Sequence, residues 1–393
     1  MSRTGSILIL NAGSSSIKFA LFDAARDLHE AVRGEIENLS SVPHFHAVDD
    51  HGRVLIERRW KPEDNASYSH VLEDLLAFAE DHLGKGGLTA VGHRIVHGGA
   101  EFTGPVRLAP ETIDAIEALT PLDPLHLPLN VAPIRAIAGA RPRLPQVACF
   151  DTAFHHNMPP VARRYAIPRE ISEKAVQAYG FHGLSYEYIT GRLKETAPHL
   201  ARGRMIIAHL GAGASLCALQ NGHSIATTMG FSPLDGLVMA TRCGVIDPGV
   251  LLYLGRQGYD FDQIENMLYR KSGLLGVSGI SGDVRTLLAS DAPAAAEALD
   301  LFVYRLAWEV GALTSALGGL DGLIFTAGIG EHSAEIRGRL AARLSWLGVR
   351  LDAKANEAHA DVISLADSAV ELRIVPTNEE LMIARHVQAS LQA

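Results

Sequence analysis

A mixed α/β protein built from two duplicated halves is the fold class this sequence predicts, and three observations predict it. The chain has 393 residues, more than one hydrophobic core normally serves, so two domains are the default. Short apolar runs that read as strands alternate with longer stretches of helical spacing. The segment Leu10-Asn11-Ala12-Gly13-Ser14-Ser15 returns 200 residues later as Leu210-Gly211-Ala212-Gly213-Ala214-Ser215, with four of six positions identical. Each copy follows one apolar strand and precedes another, and this shared context, more than the six residues, argues for duplication. No low-complexity segment or long linker separates the halves, so close packing with a cleft between them is expected.

The elements follow in order. Ile7–Leu10 is a short apolar strand that stops at a polar turn over 11–16, and Ile17, Phe19 and Leu21 then alternate as a second strand. Val54–Trp60 is a strand entered through the turn Asp49-Asp50-His51-Gly52. Ser69–Leu83 carries Val71, Leu75, Leu76, Ala79 and Leu83 at helical spacing, and Leu88–Val96 returns to strand. Pro110–Leu119 and Pro128–Ala138 read as helices opened by proline. Val147–Phe150 and Met205–His209 are buried strands, and Asn221-Gly222 is a hairpin turn between Ser215–Gln220 and Ser224–Met229. Leu299–Leu317 is a long helix. Leu323–Ala327 is a strand running into Gly328-Ile329-Gly330-Glu331, followed by a helix to about Leu347. A last helix runs from Asn378 to the end, capped by Asn378 or Thr377.

Composition narrows the function classes. Hydrophobic residues make up 47% and charged residues 20%, an ordinary globular balance. A formal net charge of -9 disfavours nucleic acid and anionic membrane, since both require a basic face. An anionic substrate would have to be met by a few local cations. Cys149, Cys217 and Cys243 are odd in number and widely spaced, which suggests neither a disulfide framework nor a zinc site and fits a reducing cytoplasm. Ile7–Leu10 is too short for a secretory h-region, and the longest apolar stretch, Leu301–Ala316, contains Arg305 and Glu309.

The phosphate loop G-x-x-x-x-G-K-[ST] is absent. Phosphate would have to be held by the small-residue turns at 11–16 and 210–215, where glycine lets backbone N–H groups approach, Ser14 and Ser16 add hydroxyl donors and Lys18 adds a point charge. Either turn alone is an ordinary hairpin. The pair, joined by a third glycine-rich strand end at Gly328-Ile329-Gly330, is more than that. Arg94 stands in an apolar strand ending at Gly98-Gly99, Asp151 follows a strand end, Phe181-His182-Gly183 forms a turn, and Arg242 stands in a loop closed by Gly244. His93 and His97 are ~13 Å apart in a strand, which speaks against a shared zinc. Most of the 18 histidines are expected to be surface or hydrogen-bonded structural residues.

These stretches together resemble the acetate kinase family from end to end. The resemblance is carried by Asn11 to Lys18, Gly92 to Gly99, Phe150 to His155, Tyr179 to Gly183, His209 to Gly213, Met229 to Leu237, Phe325 to Glu331 and Pro376 to Glu380. Each is modest alone, and eight in order are specific. The family belongs to the superfamily of sugar kinases, actin and heat-shock chaperone ATPases. The resemblance therefore implies two actin-like (ribonuclease H-like) domains: 1–150, joined by a terminal helix at about 382–393, and a nucleotide-binding domain at 151–381. It implies a cytoplasmic homodimer that moves a phosphoryl group between ATP and acetate, giving ADP and acetyl phosphate, with Mg²⁺ (or Mn²⁺) as cofactor.

Residue by residue, the resemblance implies that Asn11 and Glu379 help hold the metal. Nucleotide would be bound by Lys18, Ser14, Ser16, the turn His209, Leu210, Gly211, Ala212 and Gly213, the run Asp283, Val284 and Arg285, and the turn Gly328, Ile329, Gly330, Glu331 and His332. Arg94 and His126 would meet the carboxylate, with its methyl among Val96, Leu125, Phe181 and Pro233. His182 and Arg242 would stabilise the moving phosphoryl group, and Asp151 would be the active-site acid. The chain departs from the family pattern at Ala212, Leu127 and His332, where asparagine is usual, and at Cys243 and Val245, where serine and aspartate are.

The chemistry explains these residue types. Two anions must be brought in line, so cations and positioning matter most. A carboxylate is already ionised and needs no general base; Asp151 is therefore expected to orient an arginine or a metal-bound water. A propionate kinase of the same family is the alternative. A sugar or polyol kinase, which would use Asp151 as a base, and an actin-like nucleotide switch are the more distant readings.

Overall fold

A computed structural model describes residues 5–13, 15–39, 41–61, 67–82 and 87–392. The chain divides into two compact units, Met1–Phe154 together with Asn378–Ala393, and His155–Thr377. Each unit is a mixed α/β layer structure around its own sheet. Among the described residues no helix is long and apolar enough to cross a membrane.

The first unit holds strands β1 (Ser6–Ala12), β2 (Ser16–Asp23), β3 (His29–Glu37), β4 (His44–Asp49), β5 (Val54–Arg59), β6 (Leu88–Ile95), β7 (Val106–Arg107) and β8 (Gln146–Phe150), in the order β5-β4-β3-β2-β1-β6-β8-β7. The second holds β9 (Arg204–Leu210), β10 (Ala214–Gln220), β11 (His223–Thr227), β12 (Gly322–Thr326) and β13 (Glu371–Ile374), in the order β11-β10-β9-β12-β13. In both sheets the first three of these strands form an antiparallel meander, and the first strand then pairs parallel with a fourth, which pairs parallel with a fifth. The shared topology is a duplication written in hydrogen bonds. The strands β4 and β5 extend only the first sheet.

Several sequence expectations are sharpened. The turn expected over 11–16 is shorter: β1 continues through Ala12 and β2 begins at Ser16, so Asn11 is a strand residue paired with Lys18. Likewise Leu210 belongs to β9 and Ala214 to β10, leaving 211–213 as the turn. The strand expected to reach Ala327 ends at Thr326, and the helix expected to run on to Leu347 breaks at Ser333, whose side chain caps its second part, Ala334–Arg343. Asn378 is the cap of the terminal helix: its Oδ1 accepts from Leu381 N at 2.7 Å.

Two packing features position the first unit's polar residues. Leu8, Leu10, Phe19, Phe45, Val71 and Leu75 form one core between the sheet and the helix Tyr68–Asp81, and Ile95, Ile113, Leu127, Ile134 and Phe150 form another. The terminal helix Glu379–Gln392 packs on β1, β6 and β8. Gly92 makes this possible, since a Cβ there would lie 2.7 Å from both Ile383 and Val387. Two residues along the strand, on the same face, is Arg94, which thereby meets Glu379 at the helix start.

Candidate active site

In the first unit, four residues chosen from the sequence converge. Arg94 donates from Nε to Asp151 Oδ1 at 3.0 Å, from Nη2 to Asp151 Oδ2 at 2.6 Å, and from Nη1 to Asn11 Oδ1 at 3.1 Å. Glu379 Oε2 is 3.6 Å from Arg94 Nε. Asp151 is buried, and both its oxygens are engaged in a planar two-bond pairing of the kind guanidinium and carboxylate favour. Burial works against the guanidinium charge, but Asp151 and Glu379 outweigh it and raise the Arg94 pKa. Burial pushes Glu379 up to about 7, helped by Asp151 and Glu380 and opposed by Arg94 and Lys18. The site thus carries more carboxylate than one arginine neutralises. Among the described residues no group of three or more His, Cys, Asp or Glu could hold a metal by itself. Asn11 and Glu379 offer two hard oxygen ligands, the sparse donor set that suits Mg²⁺, which normally completes its shell with water and phosphate.

Lys18 is exposed on β2, across the strand pair from Asn11. Ser16 accepts through its carbonyl from Gly13 N at 2.9 Å, closing the turn. Ser14 lies outside the described residues. Val96 is buried at the end of β6, its N–H bound to Asn130 Oδ1 at 2.9 Å, and Asn130 Nδ2 reaches Ala12 O. This buried asparagine ties the ends of β1 and β6 together. Its polar side chain inside the apolar run of the helix Leu127–Ala140 was the signal that could have found it. Leu127 itself is core, and Leu125 and His126 precede it.

In the second unit, His182 has a left-handed backbone (φ 58°) at the start of the helix Gly183–Thr196, reached through Gly180. Its Nδ1 is 2.8 Å from Ser215 Oγ, which is 2.5 Å from the buried Tyr186 hydroxyl. His182 stacks on His209 at 4.1 Å, and His209 Nδ1 is 2.9 Å from Ser185 Oγ. A Cβ on Gly213 would lie 2.9 Å from Arg242 Nη2 and 3.4 Å from His182 Nε2. The β9–β10 turn, His182 and Arg242 therefore meet at one point, and glycine is what leaves room there. Arg242 is braced by a bond from Nη1 to Pro233 O at 2.7 Å. His155 holds the carbonyl of Phe181 through Nε2 at 3.0 Å and is kept neutral by burial, which lowers its pKa to about 4.

Beside this lies a cavity of about 690 Å³ lined by Gly211, Ala212, Asp283, Val284, Arg285, Gly328, Ile329 and His332 among others. The structure so brings together the three sequence segments chosen for nucleotide. Asp283 caps the short helix after it and pairs with Arg285 at 2.5 Å, a bond that holds its carboxyl down to about 2. Glu331 turns inward: its Oε1 accepts from Ala327 N at 2.7 Å and Thr377 N at 3.2 Å. Its carboxylate is thus committed to holding the turn. Gly330, likewise, is buried beneath it.

Sequence reasoning missed Arg337. It is fully buried, and its five N–H donors reach Asn356 Oδ1, Gly330 O, Glu331 O, Asn356 O and His359 Nδ1 at 2.8–2.9 Å. Burial lowers its pKa to about 10. Arg337 fixes the far side of the Gly328–His332 turn, and only the tertiary fold reveals it.

Comparisons with known proteins identify the family. The Acetokinase family pattern matches residues 6–385. The chain is 54% identical over 388 residues to an acetate kinase of Rhodopseudomonas palustris (strain ATCC BAA-98 / CGA009), covering 97% of each, and 46% identical to one of Nitrobacter hamburgensis (strain DSM 10229 / NCIMB 13809 / X14), covering 98% of this chain and 96% of that one. Among solved structures it is similar to a propionate kinase from Francisella tularensis subsp. tularensis SCHU S4 (TM-score 0.91, 37% identity, 97% and 98% of the two chains). It is also similar to Porphyromonas gingivalis acetate kinase (TM-score 0.87, 36% identity, 98% and 99%). With a family match spanning nearly the whole sequence, and relatives this similar over nearly their full length, the chain belongs to the acetokinase family.

Proposed function

We propose that this protein is an acetate kinase, transferring a phosphoryl group reversibly between ATP and acetate. The observation that carries the reading is the pairing of both Asp151 oxygens with Arg94. A hydroxyl acceptor would need a free carboxylate as base, whereas an acceptor already ionised at neutral pH needs an oriented cation. In this reading Arg94 and His126 hold the carboxylate. Val96 and Leu125, in the same unit, contact its methyl. ATP occupies the 690 Å³ cavity, with its phosphates toward the backbone of Gly211–Gly213.

His182 and Arg242 stabilise the charge that spreads over the phosphoryl oxygens in transit. Asn11 and Glu379 would hold Mg²⁺, or Mn²⁺ in its place, and the ion would neutralise phosphate charge. Asp151 keeps Arg94 aimed. Family relatives named propionate kinase make that acid the second candidate.

The helix Pro248–Arg256 buries none of its residues, and Leu252, Tyr253 and, on the adjoining helix, Phe261 are 63%, 60% and 91% exposed. Apolar surface of that extent argues for a partner; we assign it to a second copy in a homodimer. Three cysteines without disulfides suit a cytoplasmic protein.

The test is acyl-phosphate formation from ATP and Mg²⁺ with acetate, propionate, butyrate and a panel of sugars. A methylene in an apolar pocket discriminates by ~1–3 kcal/mol, so the expected order is acetate, then propionate, with butyrate largely rejected. Val96→Ala should raise kcat/KM for propionate relative to acetate. Sugar phosphorylation without acyl phosphate would sink the proposal, and a preference for propionate would make it the second candidate.

A further inference from the structure

One imidazole–carboxylate pair in the first unit differs from the other histidine contacts. His126 Nδ1 lies 2.7 Å from Asp123 Oδ1. Asp123 is only 3% exposed, while 34% of the His126 side chain is open to solvent. Oδ2 of Asp123 is buried with no hydrogen-bond partner among the described residues. The carboxylate therefore has the imidazole as its one side-chain partner there. The backbone fixes the pair, since the Asp123 carbonyl accepts from His126 N at 3.3 Å and Leu127 N at 3.1 Å. On the two neighbouring helices the charged groups are Glu111, which is exposed, and Asp114, Glu117 and Arg135, which are exposed and bound to one another.

An ionised carboxylate only accepts, so the inner ring nitrogen carries the proton. A neutral ring held that way presents a lone pair at Nε2, which repels an anion. To donate from Nε2 the pair must hold two protons, wherever the inner one lies along the 2.7 Å bond. We propose that Asp123 is a positioning residue that makes anion binding at His126 proton-linked: the carboxylate or acyl phosphate is engaged only as the pair takes up one proton from the medium. This rests on the proposed carboxylate kinase reading, in which His126 meets the acyl substrate. His182 is the contrast. Its Nδ1 partner is the Ser215 hydroxyl at 2.8 Å, which can donate or accept and so forces neither tautomer.

The test is calorimetric titration of the full chain with acetyl phosphate, without nucleotide, in two buffers of different ionisation enthalpy from pH 7 to 9. Proton uptake is expected to rise toward one per site with pH, and KM for acetate to rise with it. Asp123→Asn lets the ring adopt the Nε2–H tautomer unaided. It should abolish the uptake, flatten the pH dependence, and weaken binding at neutral pH about tenfold, the loss of a charge-assisted bond. Wild-type binding without proton uptake at any pH, where His126→Ala weakens it, would overturn the inference and leave the functional reading intact. Unchanged binding in His126→Ala would instead remove His126 from the site, and with it the reading of this corner. If Asp123→Asn does not fold, ring-¹⁵N spectra of the wild type at high pH decide: an Nδ1–H tautomer is expected, and Nε2–H would overturn the proposal.

Discussion

Both carboxylate oxygens of Asp151 accept from Arg94, and Asn11 and Glu379 lean on the same guanidinium. Replacing Arg94 by alanine would leave the buried Asp151 carboxylate and the partly buried Glu379 carboxylate without their shared cation. Removing one partner of a buried pair costs about 3–5 kcal/mol, so Arg94→Ala should lower the melting temperature as well as abolish carboxylate use. Arg242 donates to the Pro233 carbonyl. Arg242→Ala should lose kcat far more than ATP affinity; near-normal kcat would remove it from the catalytic set. A second residue-scale consequence concerns acid. Burial holds the pKa of His93, partly offset by the bond it donates to Gln146 Oε1, and that of His155 at about 4. The unfolded chain titrates near 6.5, so it binds protons that the folded one does not. The contribution of these two histidines should therefore be level above pH 6.5 and fall as pH drops toward 4, by up to about 2 kcal/mol each at pH 5, while Glu379, with its pKa raised to about 7, works in the opposite direction. Thermal melts at pH 7 and 5 check this, and His93→Leu, though weaker at pH 7, should show the shallower loss.

Among the elements, those with strong local chemistry were legible. Asn221 and Gly222 both take positive φ, the backbone their hairpin turn demands, and Asn378 caps the last helix as its side chain suggested. β3 and β4 were not legible. In β3 only Val32 and Ile36 are buried, and Gly34 interrupts the alternation because a Cβ there would collide with Phe19 and His46 O. In β4, His44 and His46 flank Phe45, so the run looks polar although its inner face is core. The site divides the same way. Glycine-rich turns and charged strand ends could be read, whereas Asn130, Ser215 and Tyr186 act through partners far away in sequence, and Arg337 joins its turn to Asn356 and His359. Gly92 joins both scales. Gly92→Val should wedge the terminal helix from the sheet, at about 1–3 kcal/mol for overpacking, and displace Glu379. The expected result is a lower melting temperature together with a higher Mg²⁺ requirement; loss of stability alone would mean that Glu379 does not serve the metal.

At the scale of the molecule, one strand order occurs twice, and the second copy carries the cavity proposed for nucleotide while the first carries the Arg94 cluster. The duplication was visible in six residues of sequence because both copies keep a small-residue turn at the same point of the meander. The surface was less visible, since Leu252, Tyr253 and Phe261 lie in a stretch given no element from the sequence, and only the fold shows them on uncovered helices. If a second copy covers them, Leu252→Glu with Phe261→Glu should give a well-folded monomer by sedimentation. A wild type already monomeric at micromolar concentration would remove the homodimer.

The terminal helix also bears on how the protein is made. It belongs to the first unit, yet the ribosome delivers it after the whole of the second. At about 5–20 residues per second, the sheet face at Ile9 and Gly92 waits on the order of ten seconds or more for its cover. The first unit emerges early but finishes last, its apolar sheet open to chaperones meanwhile. Glu379, the first residue of that helix, arrives only with it. A nascent chain can therefore fold the cavity of the second unit well before it has the carboxylate proposed to hold the metal.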